Sequence, residues 1–168
     1  MTSGSRYAFA IFAGLTLAAG AAFGQTASEK AFLTDAVRGD MAETQVGQLA
    51  ESKGHSEGVR NYGAMLAADH AKAQAEALSV AGSLGVEPPK GPTPEAKEEY
   101  AKLSQLSGSA FDSAFLRAMV EDHQKDIAKF KVQASSGSGA VAKMASEQLP
   151  TLEKHLATAQ SLQKQAGQ

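Results

Sequence analysis

Cysteine and tryptophan are absent from this 168-residue chain, and proline occurs only five times. The absence of cysteine excludes disulfide bonds, thiolate metal sites, a cysteine nucleophile and a lipid-anchored cysteine. The formal net charge is only −2, which provides no electrostatic basis for binding nucleic acid or an anionic membrane surface. We therefore expect no nucleic-acid partner, and the sequence identifies no protein partner.

Alanine dominates the residues that are present, with 33 copies or about a fifth of the chain. Because alanine is the strongest helix former and β-branched residues are sparse, the composition favours an all-α fold. The length suits one domain. Hydrophobic residues make up 43% of the chain and charged residues 20%, as is typical of a globular protein.

The first 24 residues have the layout of a secretory signal peptide. Arg6 is the only charged residue among the first 28, and residues 7–23 are uninterruptedly apolar or small. Ala22 and Gly24 provide the small residues of a cleavage site that leaves Gln25 as the mature N-terminus. An uncleaved membrane anchor is the alternative, but this apolar run is short for a span. We expect export to the bacterial periplasm or the outer membrane, with no membrane span after cleavage.

Four stretches of the remaining chain have apolar residues that recur at alternating spacings of three and four. This is the period of a helix with one buried face. Capping residues, glycine and proline mark the ends of the stretches. The predicted helices cover residues 26–52, 56–85, 109–134 and 140–163, within a single domain of residues 25–168.

This periodicity predicts a four-helix bundle. Short turns near Gly54 and Gly137 make the first two helices antiparallel neighbours, and likewise the last two. The connection between the second and third helices, residues 86–108, is much longer, and Thr93 followed by Pro94 predicts a short extra helix within it. We favour a crossover along the bundle for this connection. A loop that stays at one end is the alternative.

Polar residues interrupt the apolar face of each long helix. His70, His123 and His155 lie on three different helices, and Glu43 lies on the fourth. At a rise of about 1.5 Å per residue, all four fall near the middle of helices about 40 Å long. Imidazole and carboxylate ligands suit Zn, Fe, Mn or Cu(II), so we predict a site for one divalent transition metal. Neighbouring carboxylates that could act as further ligands or orient the imidazoles are Asp69, Asp122 and Asp126.

The alternative interpretation involves no metal. Buried histidines can pair with a carboxylate such as Glu43 and form a polar network that sets the register of the helices. The chain would then be a structural or interaction protein of the bacterial envelope. The sequence contains no phosphate-binding glycine loop, nucleophile elbow or His-Glu-x-x-His motif. We therefore predict no catalytic residues and favour a role other than that of an enzyme.

Several short motifs follow one another in a fixed order along the chain. They are Glu43-x3-Gly47-x-Leu49-Ala50, Met65-x3-Asp69-His70, Phe111-Asp112, His123-Gln124 and Leu149-Pro150-x-Leu152-x2-His155-Leu156. In this order they resemble the domain-of-unknown-function 4142 family of exported bacterial proteins, whose members are often called outer-membrane proteins. The resemblance covers about residues 30–162. It implies a ferritin-like bundle with a crossover between the second and third helices, and no established reaction.

The chain departs from a ferritin-like di-iron protein at the metal ligands. Such proteins carry Glu-x-x-His on two helices and a glutamate on each of the other two. Here Ala67 and Leu152 stand three residues before His70 and His155. The bridging carboxylates are missing, which argues against a metal-dependent oxidase. The residues support a mononuclear, histidine-rich site, and they leave storage, sensing and protection against envelope stress open as roles.

Overall fold

The computed structural model describes residues 18–137 and 139–166, with side chains from residue 27 onward, and this part of the chain contains no strand. The all-α fold class is therefore confirmed. Residues 1–17 of the predicted signal peptide lie outside the described residues. The helices are α1 (Ala18–Lys53), α2 (Glu57–Ser83), α3 (Pro94–Ser104), α4 (Gly108–Ser136) and α5 (Gly139–Ala166).

The four long helices cover the four predicted segments, and α3 occupies the long connection. The largest difference is at the start of α1, which begins at Ala18 and not near residue 26. The starts of α2 and α3 have clear local causes. The side chains of Ser56 and Thr93 each accept a hydrogen bond from a backbone N–H one turn further on. They thereby satisfy N–H groups that have no partner inside the helix.

The long helices pack as two hairpins, α1 with α2 and α4 with α5. In addition, α2 packs on α5, and α1 packs on α4. Phe32 in the first half of α1 meets Phe130 near the end of α4, with ring centroids 4.9 Å apart. Leu162 near the end of α5 lies against Gly58 at the start of α2. Each long helix therefore runs antiparallel to the neighbours that it contacts.

The two ends of the segment between α2 and α4 contact α1 at positions that are far apart along its axis. Leu84, just after α2, packs in the same apolar cluster as Leu33 in α1. At the other end of the segment, the carbonyl of Ser104 accepts a hydrogen bond from Lys53, the last residue of α1. Since Leu33 and Lys53 are 20 residues apart on one helix, the segment covers about 30 Å along the helix axis.

Asp112 in α4 holds the start of a different helix. Its side chain is 5% exposed. One carboxylate oxygen accepts the backbone N–H of His55 at 2.8 Å, and the other accepts that of Ser56 at 2.9 Å. These donors stand at the N-terminus of α2, where a negative charge also stabilises the helix dipole. The contact ties the turn between α1 and α2 to α4.

Replacing Asp112 is expected to destabilise the fold. Asp112→Ala removes both charge-assisted hydrogen bonds and leaves two backbone donors unpaired, which costs about 3 kcal/mol. Asp112→Asn keeps one acceptor oxygen and is expected to lose about half as much. Urea unfolding of the two variants measures these losses. Free energies of unfolding equal to that of the wild type would contradict the role of Asp112 in holding α2.

Two glycines bring α1 and α2 into backbone contact. A Cβ atom on Gly47 would lie 2.7 Å from the carbonyl oxygen of Gly63, and one on Gly63 would lie 2.6 Å from that of Gly47. These distances leave no space for any side chain. The contact lies one helical turn beyond Glu43 in α1, so it sets the separation of the two helices close to the predicted site.

Candidate metal centre

The three predicted histidines converge in the interior of the helix assembly. His70 of α2, His123 of α4 and His155 of α5 are 5%, 1% and 0% exposed. One ring nitrogen from each lies within 4.8 Å of the other two, so that small shifts of the rings would bring all three to ligand distance from one metal ion. The ring centroids are 5.3 to 5.7 Å apart. Three helices therefore bring together nitrogen donors from residues that are far apart in sequence.

One nitrogen of each ring is fixed by an oxygen acceptor. Nδ1 of His70 lies 2.9 Å from Oδ1 of Asp40, and Nε2 of His155 lies 3.0 Å from Oδ2 of Asp69. Nδ1 of His123 lies 2.9 Å from the backbone carbonyl oxygen of Met119, one turn earlier in α4. A histidine that binds a metal typically donates its other N–H to such a carboxylate or carbonyl, which fixes the tautomer and the orientation of the ring.

The opposite nitrogens face one another. Nε2 of His123 lies 3.2 Å from Nδ1 of His155. When the outer nitrogens donate their protons, both of these atoms carry lone pairs, and a cation between them removes the repulsion. Two nitrogens bound to zinc at 2.0–2.1 Å with tetrahedral angles are about 3.3 Å apart. The observed distance is therefore close to that of two ligands on one ion.

The third inward nitrogen is Nε2 of His70. It is buried and has no hydrogen-bond partner among the described residues. An unpaired buried nitrogen costs free energy, so this atom is available to a ligand that enters the site.

Burial keeps two of the rings neutral. It lowers the pKa of His123 to about 3, and the nearby rings of His70 and His155 contribute to the shift. Burial also lowers the pKa of His155, which outweighs the hydrogen bond to Asp69. At neutral pH these rings therefore present lone pairs, as metal binding requires.

His70 differs from the other two rings. Burial lowers its pKa, but the hydrogen bond to Asp40 and the charge of Glu43 outweigh burial, and the net shift is upward. Burial also raises the pKa of Asp40. The two groups form a buried, hydrogen-bonded pair.

Glu43 is buried beside this group but does not belong to it. Its side chain is 6% exposed, and Oε2 has no partner within the described part of the chain. Burial raises its pKa to about 7. The group of donor atoms within 4.8 Å consists of the three histidines without Glu43. Glu43 therefore provides a buried, unpaired carboxylate next to the three nitrogens.

The three predicted aspartates lie in different surroundings. Asp69 accepts the hydrogen bond from His155. Asp122 and Asp126 are partly exposed and bind Lys125 and Lys129 at 3.2 and 3.1 Å. These lysines balance the repulsion between the two neighbouring carboxylates.

Asp40 and Tyr62 are two residues of the site that the sequence analysis missed. Asp40 stands three residues before Glu43, and the spacing Leu33-Val37-Asp40 would have identified it as buried. The hydroxyl of Tyr62 is buried without a partner among the described residues, and burial raises its pKa. Its ring lies edge-on to His155 at 6.4 Å and closes one side of the site. No sequence signal distinguishes Tyr62 from an ordinary core tyrosine.

Comparison with known proteins agrees with the resemblance seen in the sequence. Residues 15–162 match the family described as domain of unknown function DUF4142. The chain belongs to this family. A fragment of a DUF305 protein from Deinococcus radiodurans has a similar fold, with a TM-score of 0.72 and 17% identity over 82% of this chain and 95% of that one. At this identity the likeness concerns the fold alone. No curated protein matches the sequence.

Proposed function

We propose that this DUF4142 protein binds one divalent transition metal ion through His70, His123 and His155, with Glu43 as the fourth ligand. One observation carries the proposal: each imidazole is fixed by an oxygen acceptor on its outer nitrogen and directs its other nitrogen toward the other two. If the histidines only set the register of the helices, Nε2 of His70 would be expected to have a hydrogen-bond partner, because buried polar atoms in such networks are normally paired.

Glu43 completes the site by rotation of its side chain. Its unpaired Oε2 and its electrostatic coupling to His70 support this role. A carboxylate also lowers the net charge of a bound dication from +2 to +1, which favours the ion in a buried setting. Three imidazoles and one carboxylate suit Zn, Fe, Mn or Cu(II). With no bridging carboxylate in the set, the site would hold a single ion and serve binding and not oxidase chemistry.

The proposal includes a ferritin-like four-helix bundle with a crossover between α2 and α4. The antiparallel neighbours and the path from Leu84 to Ser104 support it.

We also propose export of the protein to the bacterial periplasm or the outer membrane. The basic start and the apolar run of the first 24 residues support this location. Within the described residues, no helix combines the length and the apolar character needed to span a membrane.

The metal content of the purified protein tests this proposal. Elemental analysis is expected to find about one divalent metal ion per chain, because three buried nitrogen donors hold it. His70→Ala combined with His155→Ala is expected to lose the ion. His55→Ala is the matched control, since His55 is exposed at the turn before α2. Equal metal content in all three proteins, or none in the wild type, would contradict the proposal.

A further inference from the structure

A large cavity opens next to the three histidines. It has a volume of about 640 Å³ and is lined by residues of α1, α2, α4 and α5. His70 and His155 form part of its wall. Phe32, Phe130 and Leu152 provide an apolar part of the lining. The cavity therefore extends from the surface of the protein to the buried rings of two of the proposed ligands.

The lining is rich in carboxylates. The lining contains six acidic residues and two lysines, and each lysine already pairs with one of the acids. Lys129 binds Asp126 at 3.1 Å, and Lys72 lies 3.9 Å from Glu76. After these two pairs are set aside, the charge of the lining is negative. A cleft lined by charges of one sign raises the local concentration of counter-ions. The six acids are Asp35, Asp40, Asp69, Glu76, Asp126 and Glu147.

Two buried polar atoms on the cavity wall have no partner. Oδ2 of Asp40 and Nε2 of His70 make no hydrogen bond to any described residue, although Asp40 is 6% exposed and His70 5%. Both residues line the cavity. Unpaired buried atoms of this kind call for a ligand, and when the His70 ring carries its single proton on Nδ1, toward Asp40, both atoms are acceptors that suit a cation.

We propose that this acid-lined cavity is the passage by which a divalent cation reaches the three-histidine centre, an inference that rests on the proposed function. The outer carboxylates attract the hydrated ion, and the cavity conducts it to His70 and His155. The carboxylates thus govern the rate of loading, whereas the imidazoles govern the affinity.

Two variants that each remove two acidic charges test whether the carboxylates govern the rate at which the metal ion associates. Asp35 and Glu147 are exposed on the cavity wall, and Asp35→Asn with Glu147→Gln removes two charges there. Glu51→Gln with Glu98→Gln removes the same charge from exposed positions outside the cavity. The association rate of Co²⁺, followed by its absorption in a stopped-flow instrument, is expected to fall about fivefold in the cavity variant at low salt. The control variant is expected to load like the wild type, and the difference should vanish near 0.5 M salt because of screening.

A larger side chain inside the passage provides a second test. Gly39 lines the cavity, and a Cβ atom there meets no other atom within 4 Å. Gly39→Leu therefore extends a side chain into the space, whereas Gly39→Ala adds only a methyl group. The leucine variant is expected to slow Co²⁺ association and dissociation by the same factor, about tenfold, with an unchanged dissociation constant.

The outcomes distinguish this inference from the proposed function. Co²⁺ that binds with wild-type rates in both the charge variant and the leucine variant would overturn the passage and leave the metal site standing. A wild-type protein that takes up no Co²⁺ at equilibrium would overturn both.

Discussion

Zinc is expected to raise the Tm of the metal-free protein by about 10 °C or more. The proposed ligands lie on four helices and are far apart in sequence, so the unfolded chain offers no equivalent site, and the binding free energy stabilises only the folded state. At a free zinc concentration of about 1,000 times Kd the stabilisation is about 4 kcal/mol. For a folded domain of this size that corresponds to a shift of roughly 10–15 °C. Thermal unfolding with and without chelator measures the effect.

A conservative double variant isolates the cause of this shift. His70→Gln with His155→Gln keeps polar side chains of similar length and removes two of the nitrogen donors. The variant is expected to show no more than about a tenth of the wild-type response to zinc. A wild-type Tm that is the same in zinc and in chelator would refute the metal site, and the register-setting polar network would then account for the histidines.

Glu43→Gln is expected to stabilise the metal-free protein and to weaken metal binding. Burial raises the pKa of Glu43 from 4.5 to about 7 in the folded state. Between these two pKa values the folded state binds more protons than the unfolded state, so stability falls as the pH rises through this range. The neutral amide avoids that loss. At pH 8 the variant should gain about 3 kcal/mol, and at pH 4 the two proteins should be nearly equal.

The same variant loses the carboxylate ligand, and its metal affinity is expected to fall about 10- to 100-fold. Urea unfolding in chelator at several pH values and zinc titration at pH 8 measure the two effects. Glu51→Gln removes an exposed charge from the same helix and should change neither quantity. A Glu43→Gln protein that is less stable than the wild type at pH 8 would show that the buried charge is compensated by other groups.

The helical fold was predictable because its signal is local and repeated. Alternating spacings of three and four residues extend through each long helix, and Ser56, Thr93 and the glycines near the turns mark the ends. The start of α1 at Ala18 was not predicted, because residues 18–23 belong to the apolar run that was interpreted as a targeting segment. Composition alone does not distinguish the start of a helix from a targeting segment made of small and apolar residues.

The three histidines were predictable for the same reason, since each falls on the buried face of its helix. The residues that accept hydrogen bonds from their outer nitrogens were harder to predict from the sequence. Asp40 was missed because the apolar spacings around it can also place Gly39 on the buried face, whereas in the structure Asp40 is buried and Gly39 lies on the cavity wall. A shift of one position is about 100° around a helix, and the sequence does not fix that angle to better than one residue.

The cavity could not have been predicted from the sequence. Its volume depends on small residues from different helices, such as Gly39, Ala36 and Ala73, that happen to lie at one level. Each of these residues is individually compatible with tight helix packing. Only the three-dimensional arrangement shows that together they leave a space beside the histidines.

Gly47 and Gly63 carry no functional group, but they determine how closely α1 and α2 pack. Because a Cβ atom on either Gly47 or Gly63 would collide with the opposite backbone, the close contact of the two helices requires glycine at both positions. That constraint fixes where Glu43 and Asp40 stand relative to His70. The geometry of the proposed metal site therefore depends in part on hydrogen atoms in place of side chains, two turns away from His70 itself.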